Sequence, residues 1–208
     1  MSAKIQRPKL LIVEGRDEEQ FFTAAMRDHL GLTDIQIMPI GGKTLLTQNL
    51  AGLVNDPRFS NVQSLAVVRD ADATAPGSTV SSAAQAFQSV CGSLTHVGLP
   101  YPAAHGQFVD GPPRVGIFIV PNGVDDGMLE TLCLLSVSTS PEFPCVDGYF
   151  QCLQGHIPLP TNLHKARAHA WLASRLEPGK RVGEAAQAGY WTWDSNAFTE
   201  LWSFIRSL

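Results

Sequence analysis

Three groups of acids stand where a short apolar run gives way to a loop: Glu14, the pair Asp70 and Asp72, and Asp125-Asp126 with Glu130. In open α/β sheets the functional crevice lies beyond the carboxyl ends of the strands, so carboxylates at such positions can meet across neighbouring strands. Asp70 and Asp72 are two residues apart. In extended backbone their side chains point the same way and can share one ion. Hard Mg²⁺ prefers carboxylate oxygen and keeps several waters, which suits a site with few protein ligands that also holds a phosphate. Each acid taken singly has a plainer reading. Glu18 falls in a helix first turn, where the dipole favours negative charge, and Asp125-Asp126 before Gly127 is turn chemistry. Glu130, in a helix otherwise rich in Leu and Met, requires a partner if it is partly buried.

The elements that must position these acids follow from the apolar pattern. Leu10-Leu11-Ile12-Val13 reads as a buried strand of a parallel sheet. A helix follows from Asp17, with Phe21, Phe22, Ala25, Met26 and Leu30 at helical spacing and Gly31 as its stop. Residues 35–40 form a second strand, which Pro39 places at an edge. Gly41-Gly42-Lys43 and a helix over Leu45–Val54 come next, and then the third strand, Ser64–Val68. A helix is predicted over Val80–Val90, mostly loop over 92–114 with a short strand near Leu94–Val97, and a fourth strand over Val115–Val120. A helix then begins at Met128. Residues 136–160 have no readable pattern. Asn162 caps a predicted helix running to about Leu176, with Ala166, Ala170, Ala173 and Leu176 on one face, and a last helix starts near Ser195. Alternation of strand and helix predicts an α/β fold with a mainly parallel sheet of about four strands. Residues 1–135 are expected to form the catalytic domain. Residues 136–208 add an irregular segment and C-terminal helices packed on the same domain.

Composition narrows the class. Of the 208 residues 44% are hydrophobic, enough for a core, and the formal net charge is −4. That balance argues against tight non-specific nucleic-acid binding, although metal-holding carboxylates lower the formal charge of an enzyme that works on nucleic acid. The four cysteines form no C-x-x-C pair, and the histidines have no metal spacing. Neither a signal peptide nor an apolar run of transmembrane length is evident, so a soluble, reduced, cytoplasmic protein is expected. Gly42-Lys43-Thr44 is not the end of a P-loop, because position 37 is Ile where Gly is required. Trp191, Trp193 and Trp202 are assigned to packing of the terminal helix rather than to base stacking.

Leu11-Ile12-Val13-Glu14-Gly15 followed by Val67-Val68-Arg69-Asp70-Ala71-Asp72 resembles the two signatures of TOPRIM domains. That three-layer, Rossmann-like fold is shared by topoisomerases, bacterial primases, small maturation ribonucleases and nucleases of the overcoming-lysogenization-defect class. The resemblance covers roughly residues 8 to 135. It is similar above all to small uncharacterised bacterial TOPRIM proteins, through Gly41-Gly42-Lys43 and Gly127-Met128-Leu129-Glu130. It implies that Glu14 serves acid/base chemistry or binds a metal and that Asp70 and Asp72 bind Mg²⁺, with Mn²⁺ as a substitute. By the same resemblance Glu18 supports a second metal, Glu130 is a further metal-side acid, and Lys43 neutralises a phosphate.

The implied reaction is metal-dependent phosphodiester hydrolysis on DNA or RNA. No topoisomerase tyrosine or primase zinc module is evident. Two alternatives stand beside it. Asp70-Ala71-Asp72-Ala73-Thr74 resembles the first motif of haloacid-dehalogenase phosphatases, with Asp70 as nucleophile, but that motif usually follows the first strand and leaves Glu14 unexplained. The other is a non-enzymatic metal-binding or partner-binding module that acts beside an ATPase in a defence or repair system.

Overall fold

The computed structural model describes residues 4–74 and 78–208. Strand β1 (Lys9–Val13) is flanked in parallel by β2 (Ile35–Pro39) and β3 (Ser64–Asp70). Strand β3 in turn pairs in parallel with β5 (Arg114–Val120), and the short β4 (Gln107–Val109) closes the edge antiparallel to β5. The order is β2-β1-β3-β5-β4. The fold is therefore α/β around a five-stranded, mostly parallel sheet, one strand more than the apolar runs indicated. Strand β4 escaped prediction because three residues, none of them buried, leave no alternation to read. Pro39 ends β2 at the sheet edge, where a missing N–H is tolerated.

Alternate residues of the central strands feed two cores. Leu10, Ile12, Leu65, Val67, Val115, Ile117 and Ile119 face helices α2 (Leu46–Val54) and α3 (Ser82–His96). Leu11, Val13, Ala66, Val68, Phe118 and Val120 face the other side. That second face is covered by α1 (Arg16–Ala25), α4 (Leu129–Ser136), α5 (Phe143–Gln154), α6 (Leu163–Leu172), α7 (Val182–Gln187) and α8 (Thr199–Arg206). Helices thus lie on both faces, as the parallel pairing requires, and residues 136–208 share the core that β1 and α1 build.

Several boundaries differ from expectation. Helix α3 runs to His96, so the strand expected at Leu94–Val97 is its last turn, and the buried series Ala83, Ala86, Val90, Leu94 keeps helical period past Gly92. Residues 136–160, unreadable as sequence, contain α5, and residues 182–187 form α7. Helix α6 is capped by Asn162, whose side chain accepts the Lys165 N–H at 3.0 Å, but it ends at Leu172 and buries Ala168, Trp171 and Leu172. The expected alanine face instead lines a groove against α5, and Leu176 is 98% exposed. A helix clasped between two neighbours uses two faces, so a single stripe misreads it. Gly31 stops the first helix in left-handed conformation (φ 66°), after a π-helical turn over Met26–Leu30.

The tryptophans pack. Trp193 and Trp202 join Phe21 and Phe198 in one aromatic cluster against α1, and the indole N–H of Trp202 donates to the Trp193 carbonyl at 3.1 Å. Cys91 and Cys133 are buried, whereas Cys145 and Cys152 are exposed, and all four are free thiols. Among the described residues no helix is long and apolar enough to cross a membrane.

Candidate functional site

The sheet order reverses between β1 and β3, since β1 leads outward to β2 on one side while β3 leads to β5 on the other. This is the topological switch point, where the crevice beyond the strand ends opens. Glu14 follows β1 and Asp70 ends β3, and the register of the two strands brings them side by side. The Glu14 carboxylate Oε1 accepts the backbone N–H of Asp70 at 3.2 Å and lies 3.8 Å from Arg69 Nε. Only 20% of the Glu14 side chain is exposed. Burial pushes its carboxyl above the ordinary carboxylate range, Arg69 and the Asp70 N–H oppose that rise, and Asp72 and Glu18 add to it.

Asp70 sits at the focus. Its Oδ1 accepts the Leu129 N–H at 3.1 Å, so the carboxylate rests on the N-terminus of α4. Burial nonetheless drives its carboxyl well above the usual range, reinforced by Glu14, Glu18, Glu130 and Asp72 in that order. Those are the acids the sequence singled out, gathered within electrostatic reach of one carboxyl. Glu18 lies in the first turn of α1. Its carboxyl is likewise raised, first by burial and then by Glu130 and Asp17, while backbone N–H groups at Glu18 and Gly15 hold it down. Gly15 leaves it room: a Cβ there would stand 3.2 Å from Glu18 Oε2.

Asp72 departs from the extended geometry expected of an Asp-x-Asp pair. Strand β3 ends at Asp70, and Asp72 is left-handed at φ 65°, the one non-glycine residue with positive φ among those described. Its backbone is zipped to Gly127 by two hydrogen bonds of 2.8 Å. The carboxylate meets Lys43 Nζ at 2.6 Å. Lys43 arrives there because Gly41 (φ 74°) and Gly42 (φ 112°) turn the chain back, with the Gly42 N–H on the Glu14 carbonyl at 2.8 Å. Glu130, in the first turn of α4, has a side chain only 13% exposed and lies 3.8 Å from Lys165 Nζ of α6.

The six sequence candidates therefore lie at the carboxyl end of the sheet, linked to one another through Asp70 and Asp72. Among the described residues, however, no three acidic, histidine or cysteine side chains are gathered tightly enough to ligate one ion as they stand. Cations adjoin three of the acids: Lys43 on Asp72, Arg69 beside Glu14, Lys165 towards Glu130. The donor set is made of hard carboxylate oxygens, which fits Mg²⁺ or Mn²⁺, and an ion that keeps its waters needs only one or two of them. Among the described residues no cation pairs with Asp70, and its like-charged neighbours are an electrostatic demand that a divalent ion would answer.

Sequence reasoning gave no role to Arg69 or Lys165, and it weighed Asp126, one of its strand-end acids, as turn chemistry. Arg69 precedes Asp70 and has Nε and Nη1 buried without hydrogen-bond partners. Lys165 comes from a helix 35 residues downstream of Glu130, and no local pattern announces it. Asp126, read as turn chemistry, is fixed by donors from a different loop. Its carboxylate accepts the Thr74 N–H at 2.6 Å, the Thr74 hydroxyl at 2.5 Å and the Ser82 hydroxyl at 2.7 Å. These bonds hold its carboxyl below the usual range.

A family model described as "Protein of unknown function (DUF3226)" matches residues 8–208. Among solved structures, the C-terminal region of the Burkholderia pseudomallei OLD protein aligns over 98% of this chain and 98% of its own, at 15% identity and a TM-score of 0.48. No curated protein matches the chain.

Proposed function

The chain belongs to the DUF3226 family, and we propose that its acidic crevice carries out Mg²⁺-dependent hydrolysis of phosphodiester bonds in nucleic acid, as the resemblance to the nuclease branch of TOPRIM proteins implies. The observation that carries this reading is the meeting of Glu14 and Asp70 at the switch point, with Glu18, Asp72 and Glu130 around them. Asp70 and Asp72, with Glu14, would hold one divalent ion, and Glu18 and Glu130 would serve a second. When bound, such an ion polarises a phosphoryl oxygen and makes a bound water acidic.

The chain's own groups do the rest. Glu14 is held by the Asp70 N–H, and among the described residues its second oxygen has no partner, so it can take a proton from an attacking water or orient it. Lys43, on a loop that two glycines fold over the crevice, is placed to bind a phosphate oxygen once Asp72 is otherwise engaged. The phosphatase alternative gains no support here. It leaves the Glu14 carboxylate, bonded to the Asp70 N–H, without a role.

The test is cleavage of single- and double-stranded DNA and RNA by the full chain with Mg²⁺ or Mn²⁺, wild type against Glu14→Gln and Asp70→Asn. Cleavage by the wild type, lost in both variants, is expected. Equal behaviour of all three proteins would sink the assignment.

A further inference from the structure

Resting on that reading of the acidic site, we infer that Asp126 is a positioning residue: it latches the loop after β3 to the loop after β5 and so fixes Asp72 in the left-handed conformation the site uses. An Asp tolerates that conformation better than most residues, but it still requires surroundings that enforce it. Two sets of bonds do so. The backbone pair between Asp72 and Gly127 joins the loops at one point. Next to Gly127, the Asp126 carboxylate gathers Thr74, two residues past Asp72, and Ser82 at the start of α3. The knot closes on itself: the Ser82 N–H donates to the Thr74 hydroxyl at 2.9 Å, and the Ser82 hydroxyl oxygen, whose proton goes to Asp126, lies 3.3 Å from the Asp72 carbonyl oxygen.

Asp126 acts through Asp72 and not as a ligand. Oδ2 is taken by the Thr74 N–H, and Oδ1 by two hydroxyls. Among the carboxylates near the crevice it is the one most fully occupied by donors of the protein itself. Its neighbour Asp125 makes a different bond, to the Asn122 side chain at 2.8 Å, and provides an internal comparison. Groups that orient a metal-side acid typically change metal affinity or activity about 10- to 100-fold when removed.

The experiment measures Mn²⁺ affinity by titration calorimetry, together with Tm, for the full chain and for Asp126→Ala, Asp126→Asn, Thr74→Val and Asp125→Ala. Ser64→Ala is a stability control, because Ser64 is bonded to the Leu208 carbonyl at the opposite end of β3. About tenfold or greater weakening is expected in Asp126→Ala and Thr74→Val, with partial recovery in Asp126→Asn. Asp125→Ala and Ser64→Ala should keep wild-type affinity. Loss in Asp126→Ala without loss in Thr74→Val would make Asp126 a ligand and overturn the inference. So would affinity that simply follows Tm across the series, Ser64→Ala included. A wild type that binds no Mn²⁺ removes the metal site and this inference with it. A wild type that binds Mn²⁺ and is matched by Asp126→Ala removes only the latch.

Discussion

Replacing Asp70 by Asn should stabilise the metal-free protein. Among the described residues the carboxyl pairs with no cation, and burial first, then the four acids around it, hold it well above the usual range. Two like unit charges about 6 Å apart at an effective dielectric near 20 repel by about 3 kcal/mol. Asn removes that repulsion and keeps an oxygen for the Leu129 N–H. What it gives up is the charge assistance of that bond, about 1 kcal/mol. The net is a gain of about 1–2 kcal/mol, or roughly 2–8 °C in Tm for a chain of this size.

The sign with pH follows from linkage. A carboxyl raised in the folded state makes the fold bind more protons than the unfolded chain does, so stability falls as pH rises above the unfolded value near 4. The gain from Asp70→Asn should therefore be small at pH 4 and grow towards the raised folded value. Thermal unfolding in chelator, from pH 4.5 to 8, measures it. Adding Mn²⁺ should reverse the order, because the wild type gains more from the ion. An Asn variant no more stable than wild type at pH 8 in chelator, or a gain independent of pH, would refute the electrostatic account.

Other perturbations have equally definite outcomes. Lys43→Gln should weaken oligonucleotide binding in Ca²⁺ and reduce the slope of log affinity against log salt by about 0.7–0.9, read by fluorescence anisotropy. Gly183→Ala should lower stability by about 1–3 kcal/mol in denaturant unfolding, since a Cβ there would stand 2.4 Å from the Asp17 carbonyl oxygen and 2.7 Å from Gln20 Cβ, which forces α7 away from α1. Trp202→Ala should cost about 3–5 kcal/mol, because the ring is 3% exposed and fills the aromatic cluster under α8.

The parts legible in sequence were those governed by local pattern. Leu10–Val13 and Ser64–Val68 announce buried parallel strands, and Glu14 and Asp70 stand at their carboxyl ends as expected. Glu18 and Glu130 were legible as acids opening helices, and the structure brings both within electrostatic reach of Asp70. What failed depends on distant partners. Helix α7 has six residues and shows itself only through the glycine that fits it against α1. The left-handed Asp72 is paired with Gly127, more than fifty residues on, and Glu130 meets Lys165 only through the seating of α6. Asp126 looked like a turn residue because its donors lie some 44 and 52 positions earlier in the chain.

The aromatic cluster that seats Phe21 against Trp193, Phe198 and Trp202 sets an order in time. Helix α1, which carries Glu18, rests on side chains that follow it far downstream, Trp193, Phe198 and Trp202. A nascent chain that has released only its first 135 residues already holds every acid of the crevice, yet the face beneath α1 is bare, and the ammonium of Lys165 has still to be made. Synthesis from the N-terminus thus delivers the reactive groups early and their support late. The helix that carries Glu18 therefore has its full support only where Trp193, Phe198 and Trp202 pack against Phe21.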